Sequence, residues 1–177
     1  MGLTLPERPA QYFIDEVLLP AWDPADARGF DVTVGDPDAA AFLPVARTID
    51  NVGATYPSLI VQYSNETSGG ESTYDFMTAD GPGQNRTGTL LATVRAQDDQ
   101  RGYTGDSAAY DAVDADDIVG TLTDAVESVV ARNAAGGDTE FQTLGSQRGP
   151  DVPDDTEEDP PVRLSQVEIR YSWVRDP

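Results

Sequence analysis

The chain's 177 residues suit one domain built on a single core, and its 32 acidic against 11 basic residues set a formal net charge of −21. Lysine, histidine and cysteine are all absent, which excludes disulfides, thiol nucleophiles, zinc–thiolate sites, imidazole bases and ligands, Schiff bases and a phosphate-loop lysine. The chemistry left is that of carboxylates, paired with each other or arranged around an oxygen-ligated Mg²⁺ or Ca²⁺.

Residues 7–19 predict a first helix, with an aromatic and aliphatic stripe through Tyr12, Phe13, Glu16, Val17 and Leu18. Pro6 and Pro9 suit its start, and Pro20 is expected to end it. Trp22 follows at once and reads as a packing anchor beneath the helix end. The alternation from Phe30 to Val34 predicts a short strand before the Gly-Asp-Pro-Asp turn at 35–38, while 39–49 is ambiguous.

Residues 57–64 read as a strand with Leu59, Val61 and Tyr63 on one face. Residues 89–97 read as another, with Leu90, Ala92, Val94 and Ala96 aligned. The segment between them, 65–88, is expected to be an exposed hairpin-like excursion. It opens on a polar loop (65–72), passes Tyr74 to Met77, and carries a strong turn signal from Gly81 to Gly88.

The clearest helix spans 116–134, where Ile118, Leu122, Val126 and Val129, flanked by Val119, Ala125 and Val130, make one broad apolar face. Asp114 is placed as its N-cap, Asp116 and Asp117 lie near its positive end, and Gly136-Gly137 stops it. Gly120 inside it costs about 1 kcal/mol relative to alanine. An exposed, acidic, proline-rich loop is expected over 145–161. A long terminal strand, 162–174, then sets Val167, Ile169, Tyr171 and Trp173 on one face and Gln166, Glu168, Arg170 and Ser172 on the other. The expected fold class is α+β, a single domain over 1–177: a mixed, mainly antiparallel sheet of about four strands packed against two main helices, with long exposed loops.

The carboxylates are spread along the chain. In dilute buffer they would strain the fold by self-repulsion, but at molar salt the Debye length falls to about 3 Å. The apolar residues lean towards alanine and valine, which suits a medium that already strengthens apolar burial. The composition therefore points to an extreme halophile. All the basic residues are arginines, scattered rather than clustered, so nonspecific binding to nucleic acid or an anionic membrane is disfavoured. Met1 to Leu19 holds no apolar run long enough for a signal or a membrane span, so a chain that stays or assembles inside a cell is expected.

No catalytic, cofactor-binding or metal-ligating residue is assigned. The acidic tract 151–159 lacks the fixed spacing and tight glycine turn of an ordered cation site. Asp111 to Gly120 departs from a calcium loop at the fifth ligand, the central glycine and the closing glutamate, and helix capping explains its aspartates better. Gly81-Pro-Gly83 lacks the third glycine and the following helix of a phosphate cradle. Asn65-Glu-Thr67 and Asn85-Arg-Thr87 match the N-glycosylation pattern in expected loops, but modification requires export. No pair of carboxylates stands out beside an apolar pocket, so an enzyme is not expected.

The order of elements resembles the tail-terminator (tail-completion) proteins at the head–tail junction of long-tailed viruses. The resemblance rests on the N-terminal helix, the strand 57–64 opened by Pro57, and the variable excursion. It continues through the strand ending in Arg95-Ala-Gln-Asp, the amphipathic helix, and the terminal strand with Tyr171 and Trp173. It covers residues 7–19 and 57–174; 21–56 and 145–161 have no clear counterpart. It implies a structural virion protein of the tail or neck, assembled in the host cytoplasm, that forms a homo-oligomeric ring, usually six-fold. The implied partners are the tail-tube protein and the neck connector or stopper, with DNA passing through the lumen without specific binding, no cofactor and no membrane. The alternatives are another neck component (adaptor or stopper), a halophilic carboxylate- or metal-dependent enzyme, and a monomeric binding module.

Overall fold

A computed structural model describes residues 8–27, 29–33, 42–47, 56–68, 76–78, 81–97, 114–136, 141–149, 152–153 and 162–175. The first helix forms but does not stop at Pro20. An α turn, Arg8–Tyr12, passes into a π turn, Phe13–Leu18, and returns to α geometry over Leu19–Ala21; the three make α1. In a regular α-helix the Pro20 ring would collide with the carbonyl of Glu16. The widened turn, in which the Leu19 N–H donates to the Ile14 carbonyl, relieves that collision. Pro20 then opens a fresh turn, where its missing N–H is no loss. Phe13, Ile14, Val17 and Leu18 are buried and Glu16 is exposed, so Ile14 takes the place in the apolar stripe expected of Glu16. Trp22 is the expected anchor: it is buried, and its indole N–H donates to the Phe30 carbonyl at 2.8 Å.

The strands are β1 (Asp31–Thr33), β2 (Phe42–Ala46), β3 (Ser58–Ser68), β4 (Phe76–Thr78), β5 (Gly81–Gln97), β6 (Phe141–Arg148), β7 (Val152–Pro153) and β8 (Val162–Arg175). The second helix, α2, is Ala115–Gly136. Among the described residues the sheet runs β1-β2-β3-β5-β8-β6, with β4 on β5 and β7 on β8. The β1–β2 and β2–β3 pairings are parallel and the others antiparallel. The fold is α+β with a mixed, mainly antiparallel sheet. It has more strands than the sequence led us to expect, because Phe42–Ala46, Phe76–Thr78, Phe141–Arg148 and Val152–Pro153 each contribute one.

Both expected loops need correction. Within 65–88, β3 continues to Ser68 and β5 begins at Gly81, so much of the excursion is paired strand. Long β8 is the template, matching Gln84–Gln97 residue for residue from Arg175 back to Val162, and this pairing overrides the local turn preference of glycine, proline and asparagine. Within 145–161, β6 runs to Arg148 and β7 pairs with β8; residues 150–151 and 154–161 lie outside the described residues.

Both helices pack on one face of the sheet. There, Leu59 and Val61 of β3, Leu90, Ala92, Val94 and Ala96 of β5, and Val167 and Ile169 of β8 are buried. From α2 come Ile118, Leu122, Val126 and Val129, all buried; each large aliphatic side chain so removed from water contributes about 1.5–3 kcal/mol. Asp114 caps α2 as expected, its Oδ1 accepting the Asp117 N–H at 2.9 Å.

Candidate functional site

The alternation of β3 changes phase near its middle. The register passes from Tyr63↔Leu90 to Asn65↔Thr89, leaving Ser64 as an extra residue. A bulge of one residue turns every later side chain to the opposite face, and so Glu66, not Asn65, points to the helix side. Tyr63, expected on the core face, lies beside the bulge and is 38% exposed.

Glu66 is the most deeply buried carboxylate among the described ion pairs, its side chain 4% exposed. Its Oε1 accepts from the Arg86 guanidinium at 2.9 Å. Its Oε2 accepts from the Tyr171 hydroxyl and from the Trp173 indole N–H, each at 2.9 Å. The register explains the meeting: Glu66 pairs with Gly88, Gly88 with Tyr171, and Arg86 with Trp173. Gly88 leaves the space the ring occupies, since a Cβ there would stand 2.6 Å from Tyr171 Cζ and 2.5 Å from the Asn65 carbonyl. Burial raises the Tyr171 pKa above the ordinary value, and the hydrogen bond to Glu66 and its negative charge push the same way, against a smaller opposing effect of Arg86. The phenol therefore stays a proton donor. Tyr171 stacks on Phe141 with centroids 5.0 Å apart, and Phe141 meets Tyr12 at 5.3 Å. One carboxylate thus ties β3 to β5 and β8, and the aromatic row carries the tie on to β6 and α1. With both oxygens committed to strong donors, the group is built as a clamp rather than a proton acceptor for a substrate.

Asn65 and Asn85 lie in strands rather than in the expected loops. Of the aspartates at 111–117, Asp114 caps α2 and Asp116 pairs with Arg163 at 3.5 Å, while 111–113 lie outside the described residues. The tract 151–159 does too, apart from Val152 and Pro153. Among the described residues no group of three or more acidic side chains is placed to hold a metal ion, and no helix is long and apolar enough to cross a membrane.

The two sides of the molecule differ in charge. Asp15, Glu16, Asp23, Asp26, Asp116, Asp117 and Asp124 are exposed on the helical side. The arginines there are taken up locally: Arg132 by Asp26 and the Ala21 carbonyl, Arg148 by Asp124 at 3.0 Å and the Gly120 carbonyl at 3.0 Å. On the outer sheet face the exposed described residues include Gln62, Asn65, Thr67, Thr87, Gln147 and Gln166, with Glu168 and Arg170 as the charges. That face closes towards the start of β3. There Ser58, Ile60, Thr93 and Arg95 are buried, and the Arg95 guanidinium donates to the Tyr56 hydroxyl at 2.9 Å.

No protein-family model matches the chain, and a search among curated proteins finds no match.

Proposed function

We propose that the chain is a structural protein at the head–tail junction of a long-tailed virus infecting an extreme halophile, a tail terminator that caps the tube as a ring and joins it to the head connector. The observation that carries the reading is the succession of α1, the long paired strands β3 and β5, the amphipathic α2 and the long terminal β8, with β1 and β2 before β3 and β6 and β7 before β8. It is joined by the way three long strands, β3, β5 and β8, form the centre of one sheet. The committed carboxylate at Glu66 supports it by giving the best-formed polar cluster a mechanical role. A cyclic ring joins two different patches of neighbouring subunits. The far end of the β3–β5 pair, held by Glu66, suits contact with an adjacent ring. Carboxylates on a channel wall would repel the phosphates of passing DNA.

Gene order and imaging test the proposal. The gene is expected between those for the capsid and the tail tube. Electron microscopy of the protein in molar KCl, with tube protein present, is expected to show rings closing tube ends. A gene set among metabolic enzymes, or tubes whose length and ends ignore the protein, would overturn it.

A further inference from the structure

In a chain with a net charge of −21, an exposed face nearly free of carboxylates calls for a cause. On the outer face of β3, β5 and β8 the exposed side chains are amides and hydroxyls such as Gln62, Asn65, Thr87 and Gln166, broken by Glu168 and Arg170. These two charges differ from those of the helical side. Arg132, Arg148 and Arg163 each pair with a carboxylate, whereas Glu168 and Arg170 form no ion pair and no side-chain hydrogen bond among the described residues. Two residues apart on one strand, they leave the sheet on the same side, separated by about 7 Å along β8.

We infer that this face is the contact surface for a second copy of the same chain, packed face to face about a two-fold axis that passes between Glu168 and Arg170. One positive and one negative charge side by side make a pattern complementary to itself. The two-fold sets Arg170 of each copy against Glu168 of the other and satisfies all four charges at once. Elsewhere the exposed surface of the described residues is acidic, and two copies meeting there would bring like charges together. Nucleic acid and anionic lipid do not fit the face, because they call for clustered cations and the face's one exposed arginine among the described residues stands beside a glutamate. Pairing edge to edge is blunted. The edge strand β6 carries a bulge at Gly145, with φ +135°, and its Thr143 N–H is already taken by Asn133 Oδ1 at 2.7 Å. The amides and hydroxyls supply donors and acceptors that match their own kind across the axis, and the pairs enclosed there are screened less than surface charges. The pairing is independent of the neck reading: a ring that still assembles when the face is spoiled leaves that reading standing and overturns this one.

Sedimentation equilibrium in molar KCl tests the inference by charge reversal. Arg170→Glu and Glu168→Arg are each expected to weaken self-association at least about tenfold. Mixing the two variants, or combining both changes in one chain, is expected to restore it. The chain has no cysteine, so single thiols report proximity without interference: Thr89→Cys on the face is expected to cross-link copies on oxidation, and Asp124→Cys on the helical side is not. A wild-type chain that is monomeric at every concentration overturns the inference. So does an Arg170→Glu variant that associates as tightly as wild type, or cross-linking at position 124 as readily as at 89.

Discussion

The helix-facing side of the sheet is held in two different ways along its length. Over its middle, Leu59, Val61, Leu90, Ala92, Val94 and Val167 lie against the helices with nothing but apolar contact. At its far end, Glu66, Arg86, Tyr171 and Trp173 are joined by directed hydrogen bonds at 2.9 Å. The middle is stabilised in proportion to the area it buries and loses stability in proportion to what is removed. The far end depends on completeness, since deleting one partner leaves the others buried and unsatisfied.

Substitutions at the two ends should therefore behave differently. The largest effect is expected for Arg86→Met, which leaves the Glu66 carboxylate buried without its cation; a loss of about 3–5 kcal/mol follows, read by chemical denaturation in molar salt. Leu122→Ala, in the middle, is expected to lose about 2–5 kcal/mol through the cavity alone. The two are told apart by a second change. A hydrophobic replacement of Glu66 should recover part of the Arg86→Met loss, less the cost of leaving the Tyr171 hydroxyl and Trp173 indole N–H without their acceptor, and should recover nothing of the Leu122→Ala loss.

Tyr171→Phe is expected to lose about 1–2 kcal/mol at neutral pH by removing one donor from Glu66. It should also change the response to alkali. Folding raises the Tyr171 pKa, so the native state holds that proton more tightly than the unfolded chain does. The resulting stability is complete below the ordinary tyrosine value of about 10 and is lost as the pH climbs beyond it. The wild type should lose stability above that pH more steeply than the phenylalanine variant, as pH-resolved unfolding would record. The smallest effect is a gain. Gly120 lies inside α2 with nothing within 4 Å of where a Cβ would be, so Gly120→Ala should stabilise by about 1 kcal/mol, visible as a raised Tm.

The middle was far more legible in the sequence than the end. Ile118, Leu122, Val126 and Val129 repeat at helical spacing, and Val167 and Ile169 open an alternation that runs on unbroken into Tyr171 and Trp173 of the far end. Both patterns lead directly to the buried faces observed. Strand β6 is hard to read in the sequence because its residues are mostly polar, with Leu144 49% exposed and Gly145 at a bulge. The extensions of β3 and β5 were hidden by Gly81-Pro-Gly83 and the polar run after Asn65, whose local preference is for turns and whose pairing comes from β8, far along the chain. Glu66 was legible only as part of an Asn-Glu-Thr triplet. Its burial depends on an extra residue that no alternation of polar and apolar letters marks.

That extra residue, Ser64, is slack taken up by the bulge: it has no partner on β5. Removing its codon would shift no reading frame in the gene, and it would leave the frame in which the sheet reads β3 unshifted as well. Tyr63 would pass directly to Asn65, still opposite Thr89, and Glu66 would stay opposite Gly88, turned to Tyr171 and Trp173. A strand that kept all its residues and lost the bulge would do the opposite, turning Asn65 inward and Glu66 out to the solvent.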